Sequence, residues 1–179
     1  VAIADEGKEL REAGITVPII VMNPEQSSYS TLIDYQLEPE IYSLRVLKLF
    51  IQKLQEKQIS TAYPIHLKME TGMNRLGFHE DDFDELIAIL KNNSQVEVRS
   101  IFTHLATADM PEEADYVNYQ LNRFDKSYAT ISEALDIKPI KHALNSPGIV
   151  AYSDRQYDMV RLGIGMYGYS NIPILCKNI

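Results

Sequence analysis

Cysteine occurs once, at Cys176, so no internal disulfide can brace this chain of 179 residues and a reducing cytoplasm suits it. Long apolar runs are missing too. None approaches the roughly 20 residues that a membrane-spanning helix needs, and the N-terminus lacks the basic-then-apolar pattern of a signal segment. Positive charge is in deficit: 17 Lys and Arg stand against 25 Asp and Glu, a net charge of -8. With no basic run either, a nucleic-acid backbone finds no electrostatic footprint here. No glycine fingerprint of the dinucleotide-binding type is present, and no metal is expected. What remains is an ordinary globular composition, 45% apolar, which argues against disorder.

Strand-like and helix-like patterns alternate along the chain. Strands are predicted near residues 1, 18, 41, 66, 100, 141 and 161. The second, Thr16 to Met22, is a continuous apolar run of the kind buried on both faces of a parallel sheet. Helices are predicted from Glu6 to Ala13 behind an Asp5 cap, from Leu44 to Lys57 on an apolar stripe, from Asp81 to Lys91, and from Glu112 to Leu135. A Ser- and Tyr-rich loop separates the second and third strands, and Ser146-Pro147 suits the start of a short helix. The fold class expected is α/β: a TIM-like (β/α)8 barrel, incomplete, with about seven parallel strands, since a full barrel takes about 250 residues. An open doubly wound sheet is the competitor. Residues 1–168 are expected to form the barrel domain with its first strand missing, and residues 169–179 a tail.

The stretch His66 to Phe78 concentrates ionisable groups. The two-residue period of its strand puts His66, Lys68 and Glu70 on one face and Ile65, Leu67 and Met69 on the other. Lys68 has a plain structural reading, pairing with Glu70 or a neighbouring acid. A buried amine can also take up carbon dioxide as a carbamate and, as an anion, hold Arg75. Barrels often cradle a phosphate after their last two strands, and Asn145-Ser146 and Gly163-Ile164 fall at those places. Arg161 on the last strand needs an acceptor if buried. His104 and His142 lie near strand ends.

Four segments read together, Lys68-Met-Glu-Thr-Gly-Met-Asn-Arg75-Leu-Gly, Thr103-His-Leu-Ala-Thr-Ala-Asp109, His142-Ala-Leu-Asn-Ser146 and Met159-Val-Arg-Leu-Gly-Ile-Gly-Met-Tyr-Gly168, resemble the barrel domain of alanine racemase. The resemblance covers nearly all of residues 1–168. It implies a fold-type III enzyme using pyridoxal 5'-phosphate, acting on L- and D-alanine for cell-wall synthesis, as a homodimer when complete. By resemblance, Arg161 approaches the cofactor's pyridine nitrogen with His142 behind it. Ser146, Gly163 and Ile164 match phosphate-binding positions, and Asn145 a position beside the cofactor. Arg75 matches a group that holds the phenolic oxygen or the substrate carboxylate. His104 matches a supporting histidine near the catalytic tyrosine, and Lys68 a lysine carbamylated in several members.

The departures concern the two proton-transfer residues. The family's cofactor-bearing lysine lies in a lysine-alanine-asparagine-alanine-tyrosine-glycine-like motif that does not occur here and is expected upstream of Val1. Its catalytic tyrosine belongs to a C-terminal β-domain, so the isolated chain is expected to be inactive. Glu70 stands where the family usually has aspartate, and Asn171 to Ile179 do not resemble the family's continuation. The alternative is a single-domain, non-catalytic pyridoxal-phosphate barrel, whose last-strand motif differs from Met159-Val-Arg-Leu-Gly-Ile-Gly.

Overall fold

The computed structural model describes residues 1–169. The tail Asn171 to Ile179 lies outside the described residues. Helices and strands alternate as α1 (Ala4–Glu12), β1 (Ile20–Val21), α2 (Tyr29–Asp34), β2 (Glu38–Ile41), α3 (Leu44–Glu56), β3 (Tyr63–Lys68), α4 (Phe83–Lys91), β4 (Val96–Phe102), α5 (Ala114–Leu135), β5 (Ile140–His142) and α6 (Ser146–Ala151). The strands form one sheet in the order β1-β2-β3-β4-β5. β1 and β2 pair parallel, as do β2 and β3, the latter with Glu40 opposite His66 and Ile41 opposite Leu67. No helix among the described residues is long and apolar enough to cross a membrane.

Five strands form among the described residues rather than the seven expected, and both differences have local causes. Residues 1 and 2 run beside β1, with Met22 N–H bonded to Val1 O at 3.0 Å and Asn23 N–H to Ala2 O at 3.1 Å, but α1 begins at Ala4 before a strand can extend. The carboxylate of Glu6, not Asp5, reaches back to cap α1 by accepting from Ala2 N–H at 2.7 Å. At the other end, Met159 makes a single parallel bridge to His142, and Arg161 N–H bonds Leu144 O at 2.9 Å. Gly163 then turns the chain out of line, at φ -104° and ψ -106°, into a 3-10 turn at Ile164–Tyr167.

β1 is far shorter than Thr16 to Met22. Pro18 lacks an N–H and restricts Val17, and the Arg11 guanidinium takes the carbonyls of Ile15 and Val17, each at 2.7 Å. The loop expected between the second and third strands contains α2, whose Tyr29, Leu32 and Ile33 recur at helical spacing and are buried.

The chain divides into two compact units. In the first, Val1–Lys68 with Gly77–Ser100, Leu47, Ile51 and Leu54 of the α3 stripe are buried together with Val46 and Phe50, and Leu44 at its start is half-buried. Ser43 caps that helix by accepting from Val46 N–H at 3.3 Å. Tyr29, Phe50 and Tyr63 stack edge to face at 5.4 Å spacing. Both faces of β3 are closed to solvent: Ile65 and Leu67 on one, His66 and Lys68 on the other.

The second unit comprises Met69–Leu76 and the described residues from Ile101 onward. α5 buries Val117, Gln120, Leu121, Phe124 and Ile131 there, and Asp136 ends it in the left-handed conformation at φ 53°. Asp125 on α5 gathers three donors: Lys141 Nζ at 2.6 Å, Tyr157 Oη at 2.8 Å and Arg155 at 3.2 Å. The Lys141 ammonium also lies 4.4 Å from the Tyr157 ring centre and 4.7 Å from that of Tyr128.

Burial by itself pushes the Asp125 carboxyl up, yet the bonds from Lys141 and Tyr157 and the charges of Lys141 and Arg155 outweigh it, and the carboxyl is held below its ordinary value. A depressed carboxyl stabilises the fold fully above the unfolded value of about 3.9 and loses that contribution as pH falls through the lower folded value. Urea denaturation below about pH 4 is therefore expected to show a steeper loss of stability in the parent protein than in Asp125→Asn. Parallel slopes would remove Asp125 from the acid response.

Candidate cofactor and substrate site

Within the second unit the site grows around Arg161. Its guanidinium donates from one nitrogen to Thr103 O at 2.7 Å and Ala143 O at 2.9 Å, and from another to His142 Nδ1 at 2.7 Å. An arginine has no acceptor and stays protonated. His142 must therefore accept at Nδ1 and carry its proton on Nε2. The imidazole in turn stacks flat on Phe102, 4.8 Å between centres and 5° from parallel, and Phe102 also underlies the guanidinium at 5.1 Å. A cation that needs acceptors thus finds two strand-end carbonyls and a ring nitrogen whose tautomer it fixes.

Ser146 provides the second feature. Its Oγ accepts from Gly163 N–H at 2.9 Å and Gly165 N–H at 3.1 Å, so two backbone donors and a hydroxyl converge at one point. Ile164 opens the 3-10 turn whose first N–H groups have no partner within the turn. Asn145 caps α6, accepting from Gly148 N–H at 3.1 Å through Oδ1, while its Nδ2 donates to Leu105 O at 3.4 Å. Hydrogen-bond donors for an anion therefore cluster one turn from the arginine clamp in sequence.

Arg75 sits in a tight loop that two helix residues brace. Glu70 accepts from the N–H groups of Gly72 and Arg75, so its carboxylate holds the loop's backbone. The Thr71 and Thr103 hydroxyls meet at 2.7 Å, and Thr103 Oγ1 donates to Met69 O at 3.0 Å. From α5, Tyr116 Oη donates to Gly72 O at 2.7 Å. Gln120, wholly buried, accepts from Ala106 N–H at 2.9 Å and donates to His104 O at 3.2 Å, with Thr71 Oγ1 at 3.5 Å. The loops bearing Arg75 and His104 are thereby tied to one amide. The Arg75 side chain itself is exposed.

Lys68 belongs to the first unit. Its Nζ lies 2.9 Å from Glu40 Oε1 with both side chains buried, so the neighbouring acid is Glu40 and not Glu70. Alongside, His66 bonds Glu38 through Nε2 at 2.7 Å and Ser100 Oγ through Nδ1 at 2.6 Å, and Arg99 reaches Glu38 at 3.3 Å.

Gln120, Tyr116 and Glu40 are absent from the residues that the sequence singled out. Neither Tyr116 nor Gln120 carries a motif, and the one signal for either is its place in the helix predicted from Glu112 to Leu135.

The family described as alanine racemase, N-terminal domain, matches residues 1–171. This chain belongs to the alanine racemase family. The alanine racemase of Nostoc sp. is 35% identical over 184 residues, covering 100% of this chain and 47% of that protein. Among solved structures, an alanine racemase from a D-cycloserine-producing Streptomyces lavendulae superposes with a TM-score of 0.88 at 26% identity, covering 97% of this chain and 46% of that one. An alanine racemase of Clostridium difficile 630 gives 0.86 at 32% identity, with coverages of 95% and 47%. The chain spans about half the length of the curated relatives it matches. The family's N-terminal domain is of TIM-like barrel type, consistent with the parallel α/β sheet here.

The bracing role of Gln120 has a measurable consequence. Gln120→Leu strands the Ala106 N–H and His104 carbonyl and is expected to cost about 1–3 kcal/mol in urea unfolding. Gln120→Met, which keeps the volume but neither bond, should cost about as much, and Gln120→Glu more, because it buries a carboxylate against the His104 carbonyl. A methionine variant as stable as the parent would mean that volume, not hydrogen bonding, is what the site requires.

Proposed function

We propose that this chain is the cofactor-binding part of a pyridoxal 5'-phosphate-dependent alanine racemase, interconverting L- and D-alanine for peptidoglycan synthesis in the cytoplasm as a homodimer. Residues 1–168 would be its barrel domain. The observation that carries the reading is the fixed guanidinium of Arg161, held by His142 and the carbonyls of Thr103 and Ala143. Family membership supplies the reaction class.

The donor set fits the cofactor. Ser146 Oγ with the Gly163 and Gly165 N–H groups suits a phosphate, which seeks several donors at one point. When bound, pyridoxal phosphate supplies a carbonyl carbon that takes the amino-acid nitrogen and a ring that draws electrons from its α-carbon. Arg161 beside the ring nitrogen would be a cation with no proton to give at neutral pH, which keeps that draw weak and favours return of the α-proton over side reactions. Ser146, Gly163 and Ile164 would bind the phosphate, and Asn145 would flank the cofactor. Arg75 would hold its phenolic oxygen or the alanine carboxylate, and His104 would tune proton transfer near the catalytic tyrosine. Neither of the family's two proton-transfer residues matches a position in this sequence. This chain's share of the work is accordingly binding and orientation.

The test is to incubate the whole protein with pyridoxal phosphate and L-alanine and to follow D-alanine formation. Progress toward equal amounts of the two enantiomers is expected, and saturable cofactor binding without turnover would overturn the racemase reading. Ser146→Ala removes one bond to a charged phosphate, worth about 1.5–3 kcal/mol, so the Kd for pyridoxal phosphate should rise roughly 10- to 150-fold. An unchanged Kd would place the phosphate elsewhere.

A further inference from the structure

Glu40 and Lys68 form a buried ion pair that the proposed reaction does not use. Their side chains are 0% and 4% exposed, and Nζ lies 2.9 Å from Oε1. The pairing follows from register: β2 and β3 run parallel with Glu40 opposite His66, which brings Lys68, two residues further along the same face, within reach of the Glu40 carboxylate. Glu38, two residues before Glu40, has its own cationic or hydrogen-bonding partners in His66 and Arg99. We propose that Glu40 is a built-in counter-ion that holds Lys68 as an ammonium and closes it to carbon dioxide, so that Lys68 stays unmodified in this protein.

The chemistry of carbamate formation decides the point. The amine's lone pair must attack the carbon of carbon dioxide, an N–C bond forms, one C=O pair moves onto oxygen, and the nitrogen gives up a proton to water. An ammonium has no lone pair to offer. Deprotonating Lys68 would also remove the positive charge that faces the buried Glu40 carboxylate at 2.9 Å, a loss that is costly away from water. The product would then set a carbamate anion beside that carboxylate, two like charges in a site closed to water. Each step runs uphill while Glu40 is ionised next to the nitrogen. A permanent carboxylate from the chain supplies the local negative charge that would otherwise have to come from dissolved carbon dioxide.

This inference concerns the lysine alone and does not rest on the racemase reading, because the readout is modification and not turnover. The purified whole protein is equilibrated with 13C-bicarbonate and examined by 13C NMR for a protein-bound carbamate carbon. A parallel sample is treated with a trialkyloxonium salt, which esterifies a carbamate, and the Lys68 peptide is weighed by mass spectrometry. No adduct is expected on the parent protein, and an adduct is expected on Glu40→Gln. Glu40→Thr serves the same purpose if the glutamine variant does not fold. Carbamate on Lys68 of the parent protein overturns the proposal. So does its absence from folded Glu40 variants, which would show that something other than Glu40 excludes carbon dioxide.

Discussion

A guanidinium that is only partly exposed must be met by acceptors, and the second unit is arranged to meet the one on Arg161. Thr103 and Ala143 stand just past β4 and β5, and each turns its carbonyl to the same guanidinium nitrogen. In a regular sheet such carbonyls would serve a neighbouring strand's N–H groups. Here a side chain takes that role, and the run from Met159 therefore makes one bridge before turning off at Gly163. The turn aims the Gly163 and Gly165 N–H groups at Ser146. The arginine clamp and the anion cradle are two results of one requirement.

The same requirement sets a protonation state. Because Arg161 only donates, His142 accepts at Nδ1, and its flat stack on Phe102 keeps the ring plane fixed. A histidine in this state holds an arginine in place without itself carrying charge. That arrangement suits a positioning role for His142 more than a proton-transfer role.

Much of this could be read from the sequence, and the exceptions share a cause. The α3 stripe and the alternation along β3 are local periodicities, and both appear in the structure where the spacing put them. Strand ends were overextended because apolar runs continue past the point where a partner strand stops, as at Thr16 to Pro18 and after Arg161. α2 was hidden because Ser and Thr in Tyr29–Asp34 favour turns by propensity, whereas burial of Tyr29, Leu32 and Ile33 decides the outcome. The candidate site divides along the same line. Arg161, His142, Ser146 and Gly163 announced themselves through residue type and position, and the structure joins them as two pairs, Arg161 with His142 and Gly163 with Ser146. Lys68's partner did not, because Glu40 reaches it through the register of two strands and no sequence pattern encodes that distance.

The loop carrying Arg75 shows how far positioning depends on residues remote from any motif. Gly72 has φ 143°, a conformation open to glycine, and a Cβ there would lie 2.7 Å from Tyr116 Oη and 3.1 Å from Gln120 Cγ. The loop is thus pressed against α5, and the absence of a side chain at residue 72 is what allows the contact. Once pressed there, its carbonyl needs a donor and the loop at residues 104–106 needs both a donor and an acceptor. Tyr116 supplies the first, and a primary amide is the side chain that supplies both of the others at once. Leucine would fill the volume and satisfy neither, and glutamate would satisfy one. The placement of Arg75 is consequently a property of helix α5 as much as of the strand that precedes the loop.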